Sequence, residues 1–129
     1  MFDYKPYLKS LSAYMVKNGY TVKPLPKVIL DNRDQGDDVF VYTGYFDPEK
    51  KGIRLFVNKR HPKDVLRTFA HELIHWKQDK DGVIAKSGYK GDKITEDENL
   101  IGLEKEAFLK GNIAFRSWTE IEKKKGKLK

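Results

Sequence analysis

The 129-residue sequence predicts a single α+β domain, and three patterns carry that reading. Two stretches, 62–81 and 97–123, repeat apolar residues at steps of three and four, the spacing of an amphipathic helix. Ahead of them lie two aromatic and β-branched runs, 39–46 (VFVYTGYF) and 53–58 (IRLFVN), joined by Asp-Pro-Glu-Lys-Lys-Gly. That is the composition of a hairpin with a polar turn, the basis of a short antiparallel sheet. No internal repeat and no break in composition divides the chain, so one domain over 1–122 is expected, followed by a lysine-rich, disordered tail at 123–129.

Taken in order, residues 3–18 form an N-terminal helix with Tyr7, Leu11 and Tyr14 or Met15 as its packing stripe, stopped by Asn18-Gly19. Val28-Ile29-Leu30 can add a short strand to the hairpin. The next helix opens on Pro62, which fits a first helical turn, and ends at Gly82. His61, just before it, reads as a loop or capping residue. The stretch 81–99, rich in Gly, Lys and Asp, is a long connection of the kind that often serves function. The last helix carries Leu100, Leu103, Ala107, Gly111, Phe115, Trp118 and Ile121 on one face.

Within the second helix, residues 71–75 read His-Glu-Leu-Ile-His. Histidines four apart on a helix lie one turn apart on the same side, where both imidazoles can bind one metal ion. Glu72 projects nearby and is the group expected to take a proton from the attacking water. Val65, Leu66, Phe69, Leu73 and Trp76 form the apolar stripe, while His71 and His75 share the other side with Asp64, Arg67, Thr68 and Gln78. The expectation is a helix packed on one face that offers its histidines to an accessible, polar one. The alternative is a solvent-facing pair or a structural site without chemistry.

A third ligand must come from elsewhere. A continuation His-x-x-Gly-x-x-His would need glycine at 78 and histidine at 81, which are Gln and Asp here, and the chain has no cysteine to serve. The last helix offers Glu104 and Glu106. Glu104 falls inside the apolar stripe, about 40° from Leu100 on the helical wheel, and Glu106 outside it on the Lys110 side. A carboxylate on a buried stripe is costly unless it is paired or binds metal, which favours Glu104 and leaves Glu106 as the alternative. The competing assignment for Glu104 is an ion pair with Arg67 or Lys105.

His71-Glu72-x-x-His75 followed by Glu104-x-x-Ala107 resembles the zinc metallopeptidases called gluzincins, above all their small phage-encoded or minimal-domain members, over roughly residues 37–120. The resemblance implies a small zincin-like domain in which zinc is held by His71, His75 and Glu104 with Glu72 as general base. It implies hydrolysis of peptide bonds in a peptide or protein substrate. In several such families Asp or Asn follows the alanine and orients a histidine, and Phe108 stands there instead. A sheet edge beside the metal would hold an extended peptide by backbone hydrogen bonds. Tyr89 and Arg116 are candidate donors to the developing oxyanion.

A net charge of +7 raises the question of nucleic acid, but residues 123–129 carry five lysines, and without them +2 remains. A basic end of this kind gives at most weak, non-specific phosphate contact. It keeps in view a DNA-associated peptidase of the SprT-like kind that acts on repressors or DNA-bound proteins. The remaining class is a metal-binding interaction module without turnover. No apolar run is long enough for a bilayer, the opening residues lack a signal-peptide core, and there is no cysteine to cross-link. A cytoplasmic enzyme of a bacterial or phage-infected cell is therefore expected, with no membrane partner.

Overall fold

The computed structural model describes residues 2–34, 43–83 and 98–126, the first three of the last stretch by backbone alone. Among these the order is α1 (Lys5–Lys17), β1 (Lys27–Asp31), β2 (Gly44–Asp47), β3 (Gly52–Phe56), α2 (Pro62–Lys80) and α3 (Glu98–Lys124). The last helix thus runs through Lys123 and Lys124. The 81–99 connection and the first four residues of the expected 39–46 strand lie almost wholly outside the described residues.

The hairpin forms as its composition directs. β2 and β3 pair antiparallel, Gly44 opposite Leu55 and Asp47 opposite Gly52. The sheet is mixed rather than antiparallel, however, because β1 adds to the other side of β3 in parallel, Lys27 opposite Gly52 and Asp31 opposite Phe56, giving the order β1-β3-β2. Side chains alternate with period two in either pairing, so the direction of β1 was not legible from its residues. Charge fixes its end instead. The buried Asp31 carboxylate accepts from Arg54 of β3 at 2.8 Å and from Arg33 at 2.8 Å.

One face of the sheet packs on α2. Phe46, Ile53 and Leu55 are buried, and the Phe46 ring meets Trp76 edge-on at 5.9 Å. The α2 stripe of Val65, Leu66, Phe69, Leu73 and Trp76 is buried as expected, each large aliphatic chain contributing about 1.5–3 kcal/mol. Leu11 and Met15 of α1 complete this core. The ends of α2 follow the sequence signals. His61 is its N-cap, its Nδ1 accepting from the Lys63 amide at 3.1 Å, and Gly82 past its end adopts φ +79°, a conformation open to glycine. Arg60 ties this corner together by donating to the carbonyls of Thr43, Phe56 and Asp64 and to Thr68 Oγ1.

The opposite α2 face is open at its start, where Asp64 and Arg67 are exposed and Thr68 and His71 partly so, but against expectation not at its end. Glu72, His75 and Gln78 are all buried, because α3 lies along that side. A seam of small residues permits the approach: Ala107 and Ala114 are buried, and a Cβ built on Gly111 would stand 2.9 Å from His71 Cα. The α3 stripe matches expectation through Leu103, Phe115 and Trp118, then departs from it. Ile121 is exposed and Glu122 is buried instead, accepting from Ser10 Oγ at 3.2 Å, while Trp118 Nε1 donates to the same hydroxyl at 3.0 Å. No helix among the described residues is long and apolar enough to cross a membrane.

Candidate metal centre

Three polar side chains converge where α2 and α3 touch. His71 and His75 project from successive turns of α2 with ring centroids 5.1 Å apart. From α3, the Glu104 carboxylate lies across both of them, Oε2 at 3.4 Å from His71 Nε2 and Oε1 at 2.8 Å from His75 Nε2. The Glu72 carboxylate is buried beside the pair, within 4.8 Å of both imidazoles. Glu104 is therefore not engaged with Arg67, which pairs with Asp64 at 3.0 Å.

This donor set can be tested against zinc. Bonds of about 2.0–2.2 Å to imidazole and carboxylate place neighbouring ligand atoms of a tetrahedron about 3.3 Å apart. The separation of His71 Nε2 from Glu104 Oε2, 3.4 Å, is close to that spacing, although the contact to His75 is made by the other carboxylate oxygen. The His75–Glu104 separation of 2.8 Å is a hydrogen bond, so the carboxylate needs to withdraw by roughly half an ångström. Two imidazole nitrogens and a carboxylate suit zinc or a similar borderline divalent ion. Access is one-sided. His75 is 1% exposed, whereas the side chains of His71 and Glu104 are 25% and 44% exposed. The open side of the cluster is thus where solvent can approach.

The orientation of His75 follows from donor and acceptor counting. The Gln78 amide nitrogen points at the Leu103 carbonyl (3.0 Å) and at Glu106 Oε1 (2.8 Å), two groups that only accept. Its oxygen therefore faces His75 Nδ1 at 2.8 Å, and Nδ1 must carry the proton. Nε2 is then the nitrogen that donates to Glu104 at 2.8 Å in the charged imidazole, and the one whose lone pair a metal would take on displacing that proton. Glu106 thus stands behind the site rather than in it. Its carboxylate accepts from Gln78 and from Lys110 at 2.9 Å, and those two hydrogen bonds, in that order, lower its pKa.

Electrostatics couple the pair. Burial opposes charging of His75, but its hydrogen bond to Glu104 and the negative charges of Glu72 and Glu104 outweigh it, so its pKa is raised. Burial also works to raise the Glu104 pKa, and the hydrogen bonds of His71 and His75 outweigh that, holding the carboxyl well below its usual range. Carboxylate and imidazolium favour one another here, and a divalent cation would take the place of the shared proton charge.

Of the remaining candidates, only Arg116 falls among the described residues, and it does not join this cluster. Tyr89 lies outside the described residues. Arg116 is exposed, about 18 Å along α3 from Glu104 at 1.5 Å per residue, and lines a groove with Lys63 and Arg67 instead. What residue reading missed was Gln78. The signal was present, since Gln78 stands three residues after His75 and so shares its face, but its partner Glu106 is on another helix. No family model, curated protein or solved structure matches the chain.

Proposed function

We propose that this protein is a zinc-dependent peptidase with a zincin-like arrangement of its α2 and α3 helices, in which His71, His75 and Glu104 hold the metal and Glu72 is the general base. The observation that carries the reading is the span of the Glu104 carboxylate across both histidine Nε2 atoms, with a second, buried carboxylate alongside. A structural pair of histidines has no need of Glu72 at that place. Burying a carboxylate is costly unless it is paired or in use.

Zinc supplies Lewis acidity toward the scissile carbonyl and lowers the pKa of water at the site. The chain supplies the rest. Glu72 accepts the proton of the attacking water and returns it to the leaving amine, so that the C–N bond breaks with a neutral product. Gln78 keeps the proton of His75 on Nδ1 and leaves Nε2 for the metal. The burial of His75 and Gln78 under α3 excludes bulk water from one side, which strengthens charge interactions within the cluster.

The test is metal content paired with turnover. One zinc per chain and cleavage of a quenched peptide library are expected for the wild type. Glu72→Gln should retain the zinc and lose about 100- to 10,000-fold in rate. Undiminished cleavage by Glu72→Gln would remove Glu72 from the mechanism, and a wild type that binds zinc but cleaves nothing would reduce the centre to a metal-binding module.

A further inference from the structure

Beside the histidine pair, the seam between α2 and α3 opens into a groove of about 590 Å³. Its two walls continue the helices that carry the candidate ligands. Arg67 stands one turn before His71 on α2, and Phe108 one turn after Glu104 on α3, and both line it. The groove therefore begins one helical turn from the candidate ligands.

Its charge is one-sided. Lys63, Arg67, Arg116 and Lys123 line it against a single carboxylate, Glu120. Arg67 is held by Asp64 at 3.0 Å and lies over the Phe115 ring, 5.2 Å from its centroid. Lys63, Arg116 and Lys123 have no ion-pair partner among the described residues. The positive end of α2 and the negative end of α3 both lie at this groove and offset one another, so its field is that of the side chains. Phe108, 66% exposed, supplies an apolar wall among these cations. Such a surface suits a ligand that combines carboxylates with carbon chains, as runs of Glu and Asp residues do.

We propose that this groove is a substrate subsite that selects acidic peptide segments, their carboxylates seated between Lys63 and Arg116 while the adjoining backbone reaches the metal centre. The proposal rests on the peptidase reading and gives it a substrate class. Single-stranded nucleic acid is the weaker occupant, because strand-binding grooves stack successive bases on several rings, whereas Phe115 is buried and Phe108 alone is open. A duplex is wider than the space between two packed helices, whose axes lie about 8–10 Å apart.

Binding decides this independently of catalysis. The zinc-loaded full chain carrying Glu72→Gln is titrated into two fluorescein-labelled decapeptides, identical except that four Glu in one are Gln in the other, and anisotropy is read at low and high salt. The Glu peptide should bind roughly fivefold or more tightly at low salt, and the difference should shrink as salt screens it. The double substitution Lys63→Glu/Arg116→Glu should abolish the preference while zinc content stays at one per chain. Equal affinities for the two peptides would overturn the proposal, and so would a preference that survives the double substitution. A ten-nucleotide oligothymidine that binds more tightly than the Glu peptide, and is lost in the same double variant, would reassign the groove to nucleic acid. Cleavage of both peptides by the wild type is read separately. Binding preference without any cleavage would keep the acidic groove and dismiss the peptidase.

Discussion

Glu104 Oε1 sits 2.8 Å from His75 Nε2 although the two residues belong to different helices. The other candidate carboxylate of α3, Glu106, is turned away to Gln78 and Lys110. Their substitutions should therefore separate. Removing the side chain of Glu104 deletes a donor, and Glu104→Ala is expected to weaken zinc binding by more than about 100-fold, beyond the range usual for outer partners. Glu106→Ala should stay within about tenfold. Competition with a chromophoric chelator measures both, and a larger loss for Glu106→Ala would exchange their roles.

Gln78 holds the His75 proton on Nδ1. Gln78→Leu keeps much of the volume but leaves that N–H buried without its acceptor, and it also strands the Leu103 carbonyl and Glu106. Zinc affinity should fall by about 10- to 100-fold. Gln78→Glu restores an acceptor for Nδ1 and should recover part of the metal affinity, despite repulsion from Glu106. The cobalt-substituted protein reports the difference through its visible ligand-field bands, which a change in stability alone would not move.

Gly111→Ala brings two effects of opposite sign. Alanine is favoured over glycine within a helix by about 1 kcal/mol, but the added Cβ would meet His71 Cα at 2.9 Å and His71 N at 3.0 Å. Those are backbone atoms that cannot swing aside, so α3 must shift and overpacking prevails, at about 1–3 kcal/mol gross. The melting temperature should fall by several degrees and zinc affinity should fall with it, since Glu104 rides on the displaced helix. An unchanged or higher melting temperature would mean that the seam is looser than its distances imply.

The paired shifts of His75 and Glu104 set a pH window for the metal-free protein. His75 has a raised pKa, so its contribution to stability is complete below its ordinary value of 6.5 and is lost as pH rises through the raised one. Glu104 has a lowered pKa, so its contribution is complete above its ordinary value of 4.5 and is lost as pH falls toward the lowered one. After chelation, the melting-temperature gap between wild type and Glu104→Gln should be widest between pH 4.5 and 6.5. Zinc binding runs the other way, weakening as pH drops through the raised His75 value because protons compete for the imidazole. A gap independent of pH would mean that the pair is not ionised as a unit.

The residues themselves determined much of this protein. Apolar steps of three and four placed α2 and α3, His61 and Gly82 marked the α2 ends, and the four-residue spacing put His71 and His75 on one side of a helix. These are local consequences of backbone period and capping, and local rules can be read along a chain. What the tertiary structure decided was every relation between elements. The direction of β1 depended on pairing with a strand of equal period. His75 and Gln78, on the face of α2 expected in water, are buried because Ala107 and Gly111 let α3 close over them. The wheel favoured Glu104 over Glu106, but that Glu104 faces the histidines while Glu106 faces Gln78 is a relation between helices. A helical wheel gives the angle of a side chain about its own axis, but the partner it meets is fixed by the rotation and depth at which two helices pack. That depth was set here by the missing side chain of a glycine.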